Sequence, residues 1–325
     1  MTKCAYLLVH WGAPYHQALI KPFVKEYVKN FDRALMQNYT PFKKLKLYFL
    51  IQKTAYFLKR DYLQKGALPS FVDDLEEIAS LLSSHLQAPV LTFYQHLPNT
   101  HGDFCKNIAK LDIQEIKILP LFPQYSFSMA GNIAAFFAKI LPKETLFKLR
   151  WIKSYPTHPA YVQGMQKLLK DSLKEHALME EKTSLLFFAP SILQASVEKG
   201  DLYLSECQKS VKAITKGFPF LKSELAFLPL FSRGRWLSPT LEELYDSLKS
   251  LAKKRDSLLL FPLFFFHPLC FLFELEKKQI PFLKQCGFKL FYTPSIPLYP
   301  KWLDAIAALT ESEELCANYM LTPQR

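Results

Sequence analysis

Short, mostly apolar runs of strand length recur along the chain at 5–10, 90–94, 116–121, 149–152, 184–189, 224–230, 257–265 and 288–292. Between them, over 70–85, 159–176, 203–216 and 239–253, apolar residues return at helical spacing. Unbroken apolar runs of strand length mark strands buried on both faces, and such strands alternating with amphipathic helices build parallel sheets covered by helices. The pattern predicts an α/β protein of two doubly wound, Rossmann-like units with a ligand cleft between them, since ligands in this architecture lie beyond the carboxyl ends of the strands. Tyr155-Pro156 interrupts the pattern after the fourth run, and the residue before a proline is pushed out of the helical region. The expected division is a first unit over 1–155 and a second over 156–300. A helix in 301–325 is expected to pack back on the first unit.

The 325 residues are half apolar and carry both signs of charge, which excludes a disordered chain. Only 9 are glycine while 28 are phenylalanine, so turns that glycine would leave open are filled with bulk. The six cysteines (Cys4, Cys105, Cys207, Cys270, Cys286, Cys316) show no paired spacing, as expected of small core residues in a reducing compartment. The opening MTKCAYLLVHWGAP meets Gly12 and Pro14 too early for a signal peptide. The longest apolar run, 257–273, is broken by Pro262, His267 and Pro268 and is too short for a membrane span. A cytoplasmic protein is expected.

Net charge is +12, and residues 1–65 hold twelve Lys and Arg against three acids. Within them PFKKLKLYFLIQKTAYFLKR, residues 41–60, interleaves lysine with Leu, Tyr, Phe and Ile. That pattern suits a basic helix in peripheral contact with an anionic membrane; it also suits a solvated lysine face over a core helix, and both readings stay open. No nucleic-acid motif or base-stacking pattern accompanies the charge, so no nucleic-acid partner is expected.

Chemistry concentrates in a few segments. LLFFAPSILQASVEKGDLYLSEC (185–207) and PLFPQYSFSMAG (120–131) are the most distinctive, with LLVHWGAP (7–14), YLQKGALPSFVDDLEEIA (62–79), RWLSP (235–239) and PLFFFHPLCFLFELE (262–276). Taken in their order along the chain they resemble the ferrochelatase family, whose corresponding motifs include L-L-F-S-A-H-G-x-P with V-x-x-G-D-P-Y-x-x-x-C, and P-L-Y-P-Q-Y-S-x-S-T-T-G. The resemblance spans nearly the whole chain. It implies a chelatase-like fold and an enzyme of haem biosynthesis, a lyase that inserts Fe²⁺ into a porphyrin. No cofactor is required: Fe²⁺ and porphyrin are substrates, or haem is the ligand if the pocket is kept.

The departures fall where that chemistry would sit. The resemblance places the family's catalytic histidine at Pro190, which neither accepts a proton nor binds a metal. The family's glutamate falls on Cys270, or on Phe271 by a different anchoring. His10 stands for an asparagine, Gln95 and His96 for an Arg-Tyr pair, Leu228 for a glutamine and Pro297 for an asparagine. The family context places His10, Trp11, Tyr125, Ser126, Ser128 and Pro190 against the porphyrin. His267 and Cys270 are candidate metal ligands by residue type; a loop histidine and a buried thiol are the plainer reading. Gly200-Asp201 reads as a turn and helix start.

Three functions fit. The first is a tetrapyrrole-binding homologue with lost or weak catalysis, a pseudoenzyme that carries or senses haem or partners another enzyme of the haem pathway. The second is an active ferrochelatase with its proton acceptor relocated to His10, His96 or His267. The third is a ligand-free interaction scaffold.

Overall fold

The computed structural model describes residues 4–32, 41–65, 71–229, 235–264, 279–293 and 301–320. Its strands are β1 (Cys4–His10), β2 (Val90–Tyr94), β3 (Glu115–Pro120), β4 (Leu149–Ile152), β5 (Thr183–Pro190), β6 (Lys222–Leu228), β7 (Ser257–Pro262), β8 (Lys289–Tyr292) and β9 (Cys316–Ala317). They form two sheets, ordered β2-β1-β3-β4-β9 and β6-β5-β7-β8. Every pairing is parallel except β4 with β9.

The predicted α/β architecture is thus present, and the central strands explain why. TSLLFFAP of β5 and SLLLFP of β7 are buried at every position, the condition of a parallel strand covered on both faces. Helices Phe71–Leu86, Pro98–Ala109 and Asn132–Ile140 belong to the first unit, and Pro159–Glu175, Tyr203–Thr215 and Tyr245–Ala252 to the second.

In each sheet the chain runs from one strand to a neighbour on one side and then crosses to the other. That reversal falls between β1 and β3 in the first sheet and between β5 and β7 in the second. Strand order reverses there, the position at which ligands lie in open α/β sheets generally. The segments leaving these four strands begin at Trp11, Leu121, Ser191 and Leu263.

The units divide between Lys153 and Ser154, with 123–125 assigned to the second. The helix Lys301–Glu311 corrects the expectation for 301–325. Its residues 301–309 belong to the second unit, because Trp302 packs over Gly164, where an added Cβ would lie 3.3 Å from the indole. Only from Thr310 does the chain return to the first unit, where Glu313 pairs with Lys117 and β9 closes the β4 edge. The helix expected over 239–253 forms only at Tyr245–Ala252. Ahead of it, Thr240 and Glu243 bond each other's backbone N–H reciprocally, a capping-box arrangement that opens the turn 241–244 leading into the helix.

Candidate functional site

In the first unit the edge is set by the turn after β1. Gly12 sits at φ +83°, and a Cβ there would come within 2.9 Å of the Tyr94 Cβ, so only glycine lets the chain turn against β2. The β1–β2 pairing continues past the strands, with the Gln95 and His96 amides donating to the His10 and Trp11 carbonyls at 2.8 Å each. Four side chains are thereby brought to one carboxyl edge.

They are packed as core. The His10 ring lies between Phe71 and Phe122, at centroid distances of 4.9 and 5.0 Å. Its Nδ1 accepts the Gly12 N–H at 3.2 Å, which places the imidazole proton on Nε2. Burial lowers its pKa to about 3, because an imidazolium there would lose its hydration. His96, also fully enclosed, is driven down by burial and then by His10. Trp11 stacks on His96 at 5.8 Å and meets Tyr27 edge-on. These two porphyrin-facing expectations, His10 and Trp11, therefore sit inside an aromatic cluster.

After β3, Ser126 caps the turn Phe127–Gly131. Its hydroxyl accepts the Ser128 N–H at 3.2 Å and lies 2.9 Å from the Ser128 hydroxyl. Both serines are buried.

The second unit holds Gln124 and Tyr125 in a polar network. Gln124 Nε2 donates to Ser210 Oγ at 2.8 Å and to the Tyr161 hydroxyl at 3.2 Å. Ser210 in turn donates to the Pro156 carbonyl, and Tyr161 to the Leu263 carbonyl at the end of β7. The Tyr125 amide donates to Glu206 Oε2 at 2.6 Å, while Ser154 Oγ donates to Oε1 at 3.0 Å. Burial raises the Glu206 pKa, opposed by those two hydrogen bonds. The Tyr125 hydroxyl is pushed up by burial, then by Asp201 and Glu206. Asp201 accepts the Tyr203 N–H at 3.0 Å, beside Gly200 at φ +93°, as a turn and helix start requires. Sequence reasoning missed Glu206; its one signal was a carboxylate one residue before Cys207 within a matched motif.

Pro190 ends β5 opposite Leu228. Past it the Ser191 amide donates to the Leu228 carbonyl at 2.9 Å, and Ser191 Oγ to the Leu237 carbonyl at 3.2 Å. Leu193 bridges Trp236, so the segments 185–207 and 235–239 meet at this edge. Phe188, Leu228 and Phe264 share one buried apolar cluster. The edge offers no side-chain base at position 190. His267, Cys270 and Pro297 lie outside the described residues. Among the described residues no group of three or more His, Cys, Asp or Glu is placed to hold a metal ion.

Comparison with known proteins agrees with this architecture. The ferrochelatase family model matches residues 3–314. The ferrochelatase of Chlamydia caviae is 30% identical over 311 residues, covering 95% of each chain. That of Chlamydia trachomatis serovar A is 28% identical, covering 98% of this chain and 99% of its own. Among solved structures, SirB from Bacillus subtilis with Fe³⁺ superposes with a TM-score of 0.56 at 13% identity, covering 98% of this chain and 97% of that one. CbiX, the terminal enzyme of sirohaem biosynthesis in denitrifying bacteria, superposes with a TM-score of 0.52 at 13% identity over 96% and 99%. These two show a shared fold.

Proposed function

Because the chain belongs to the ferrochelatase family, we propose that it binds a tetrapyrrole, haem or a metal-free porphyrin, and inserts metal weakly or not at all. The observation that carries this reading is Pro190, at the β5 end where the resemblance places the catalytic histidine. Insertion of Fe²⁺ requires loss of two pyrrole N–H protons, and a positioned base typically contributes ~10²–10⁴-fold. Binding by apolar stacking needs no such group. The surroundings support loss of the base, since Leu228 stands for a polar family residue and is 1% exposed among apolar neighbours.

The second reading is an active enzyme with a relocated base, and the name ferrochelatase on relatives that match end to end favours it. Two of its three candidate bases are poor ones. His10, with a pKa near 3, would take a proton at pH 7 at a cost of roughly 5 kcal/mol. His96 is also lowered well below its ordinary value, by burial first and then by His10 and His101. Tyr125, Ser126 and Ser128 are proposed as scaffold behind the ligand: the two serine hydroxyls bond each other, and burial keeps the Tyr125 hydroxyl protonated.

The test is a Soret titration of the purified protein with haem and with metal-free porphyrin, followed by anaerobic Fe²⁺ or Zn²⁺ insertion in the same cuvette. Binding without insertion above the protein-free rate is expected. Insertion well above that rate would establish the relocated base, and absence of binding would leave a ligand-free scaffold.

A further inference from the structure

The amino-terminal ends of β3 and β4, opposite the carboxyl edge described above, carry charge that the fold leaves unused. β3 begins at Glu115 and β4 at Leu149, and the short helix Lys143–Phe147 turns the chain into β4. A cavity of about 350 Å³ opens here, lined by Gln114, Glu115, Phe147, Lys148, Arg150 and Asn318. Asn318 follows directly on β9, and all six residues belong to the first unit. The volume lies in the range of small-molecule sites, ~300–1,000 Å³.

Arg150 is the group that points to a ligand. A guanidinium offers five N–H donors in a planar fork. Here Nη1 lies 3.8 Å from Glu115 Oε2 and Nη2 3.9 Å from Glu313 Oε2, close enough to attract and too far to hydrogen-bond. Its Nε is enclosed and meets no acceptor among the described residues. Glu313 does not come closer because Lys117 holds it. Lys148 adds a second cation, so the lining sets two cations against one acid, Glu115. A phosphoryl group fits this pair, since it presents oxygens on several sides to an arginine fork and a lysine point charge together.

Phe147 supplies an apolar partner beside the charges. Its ring is 89% exposed, an aromatic face open to a flat ligand. Gln114 and Asn318 carry amides that both donate and accept hydrogen bonds, which suits the polar edge of a heterocycle.

We propose that this cavity binds a small organic phosphate bearing a flat polar ring, with the chemistry of a nucleoside monophosphate. The phosphoryl group lies on Arg150 and Lys148 and the ring on Phe147. Because the lining joins the starts of β3 and β4 to the residue after β9, the ligand also ties the C-terminal segment to the first sheet. The inference is independent of whether a tetrapyrrole binds or reacts, since it concerns the other end of the strands.

The test is calorimetric titration of the full chain with adenosine monophosphate, with inorganic phosphate and with adenosine. The monophosphate should bind saturably, inorganic phosphate about tenfold more weakly for want of the stacked ring, and adenosine without saturation. Arg150→Gln should weaken the monophosphate about tenfold or more, as loss of a charged hydrogen-bond donor does. Phe147→Ala should cost about as much while leaving inorganic phosphate unchanged, and Lys148→Gln should weaken both. Phe147 and Lys148 lie outside the buried core, so their variants should fold, which far-UV circular dichroism checks; they carry the test even if Arg150→Gln does not fold. Lys110→Gln, at an exposed lysine of the same unit, leaves binding unchanged. Amide exchange over 313–318 should slow when the monophosphate is bound. Absence of saturable binding at millimolar monophosphate overturns the proposal. So does binding that all three lining variants leave intact, since the nucleotide would then sit elsewhere, and so does equal affinity for inorganic phosphate, since the ring would then make no contact.

Discussion

Returning an imidazole to the end of β5 by Pro190→His should fail to restore metal insertion, and the protein's own histidines supply the magnitude. Pro190 is buried, and its neighbours Phe188, Ile192 and Leu228 are buried and apolar. His10 occupies a comparably dry setting between Phe71 and Phe122, and there its pKa falls from 6.5 to about 3. An imidazole at position 190 faces the same loss of hydration on protonation. A depression of that size penalises the proton-bearing form by roughly 4 to 5 kcal/mol. A positioned base contributes ~10²–10⁴-fold, about 3 to 5.5 kcal/mol of barrier. The two effects nearly cancel, so the single variant should insert zinc within about tenfold of the wild-type rate. Adding Leu228→Gln places an amide next to the ring and should recover part of the lost rate. Zinc insertion is followed by the change in porphyrin fluorescence, and the new ring is titrated by NMR. A single variant that gains a hundredfold or more, or a new imidazole that titrates near its ordinary 6.5, would refute the argument that dryness disables the site.

Two further outcomes follow from contacts within the second unit. Glu206→Ala leaves the Tyr125 amide and the Ser154 hydroxyl without their acceptor in a buried place, and should lower stability by about 2 to 4 kcal/mol in urea unfolding. Because burial raises the Glu206 pKa above 4.5, the folded protein holds more protons than the unfolded one between 4.5 and the raised value. The penalty therefore grows as pH rises through that window, and acidification through it should stabilise the wild type relative to Glu206→Gln; a pH-independent difference would exclude Glu206 as the titrating group. Trp302→Ala should cost about 3 to 5 kcal/mol, with faster hydrogen exchange in Pro159–Glu175, against which the indole packs, and little change in β1 to β3. Equal loosening of both sheets would contradict the assignment of residues 301–309 to the second unit.

What was legible in the sequence was whatever a local pattern determines. The strands β5 and β7 are apolar from Leu185 and Leu258 onward because both their faces are covered, which leaves only Thr183, Ser184 and Ser257 as polar positions at their starts. Pro98–Ala109 was not legible, since PNTHGDFCKNIA holds a proline, a glycine and several turn formers around just two buried residues, Phe104 and Ile108. Asn132–Ile140 has the opposite defect: NIAAFFAKI is so apolar that helix and strand cannot be told apart by period. The motif segments located both carboxyl edges, including Pro190 at the end of β5. They could not reveal that Phe71, His96 and Phe122, each far away in sequence, close around His10 and Trp11. Glu206 stayed hidden because its acceptor role is fixed by a backbone amide 81 residues away, and a glutamate in an amphipathic helix otherwise reads as solvated.

The edge strand β9 has a bearing on how the protein comes to be made. The outer edge of β4 is covered by Cys316–Ala317, and Lys117 and Arg150 both face Glu313. On a ribosome the first sheet is thus laid down early and left unfinished, while the whole of the second unit is synthesised before residues 310–320 emerge. At ordinary elongation rates that interval is on the order of ten seconds or more, and for its duration β4 presents an open row of amides and carbonyls, the feature that invites strands of other chains to pair. The unit that begins first is completed last, and its assembly ends with a two-residue strand.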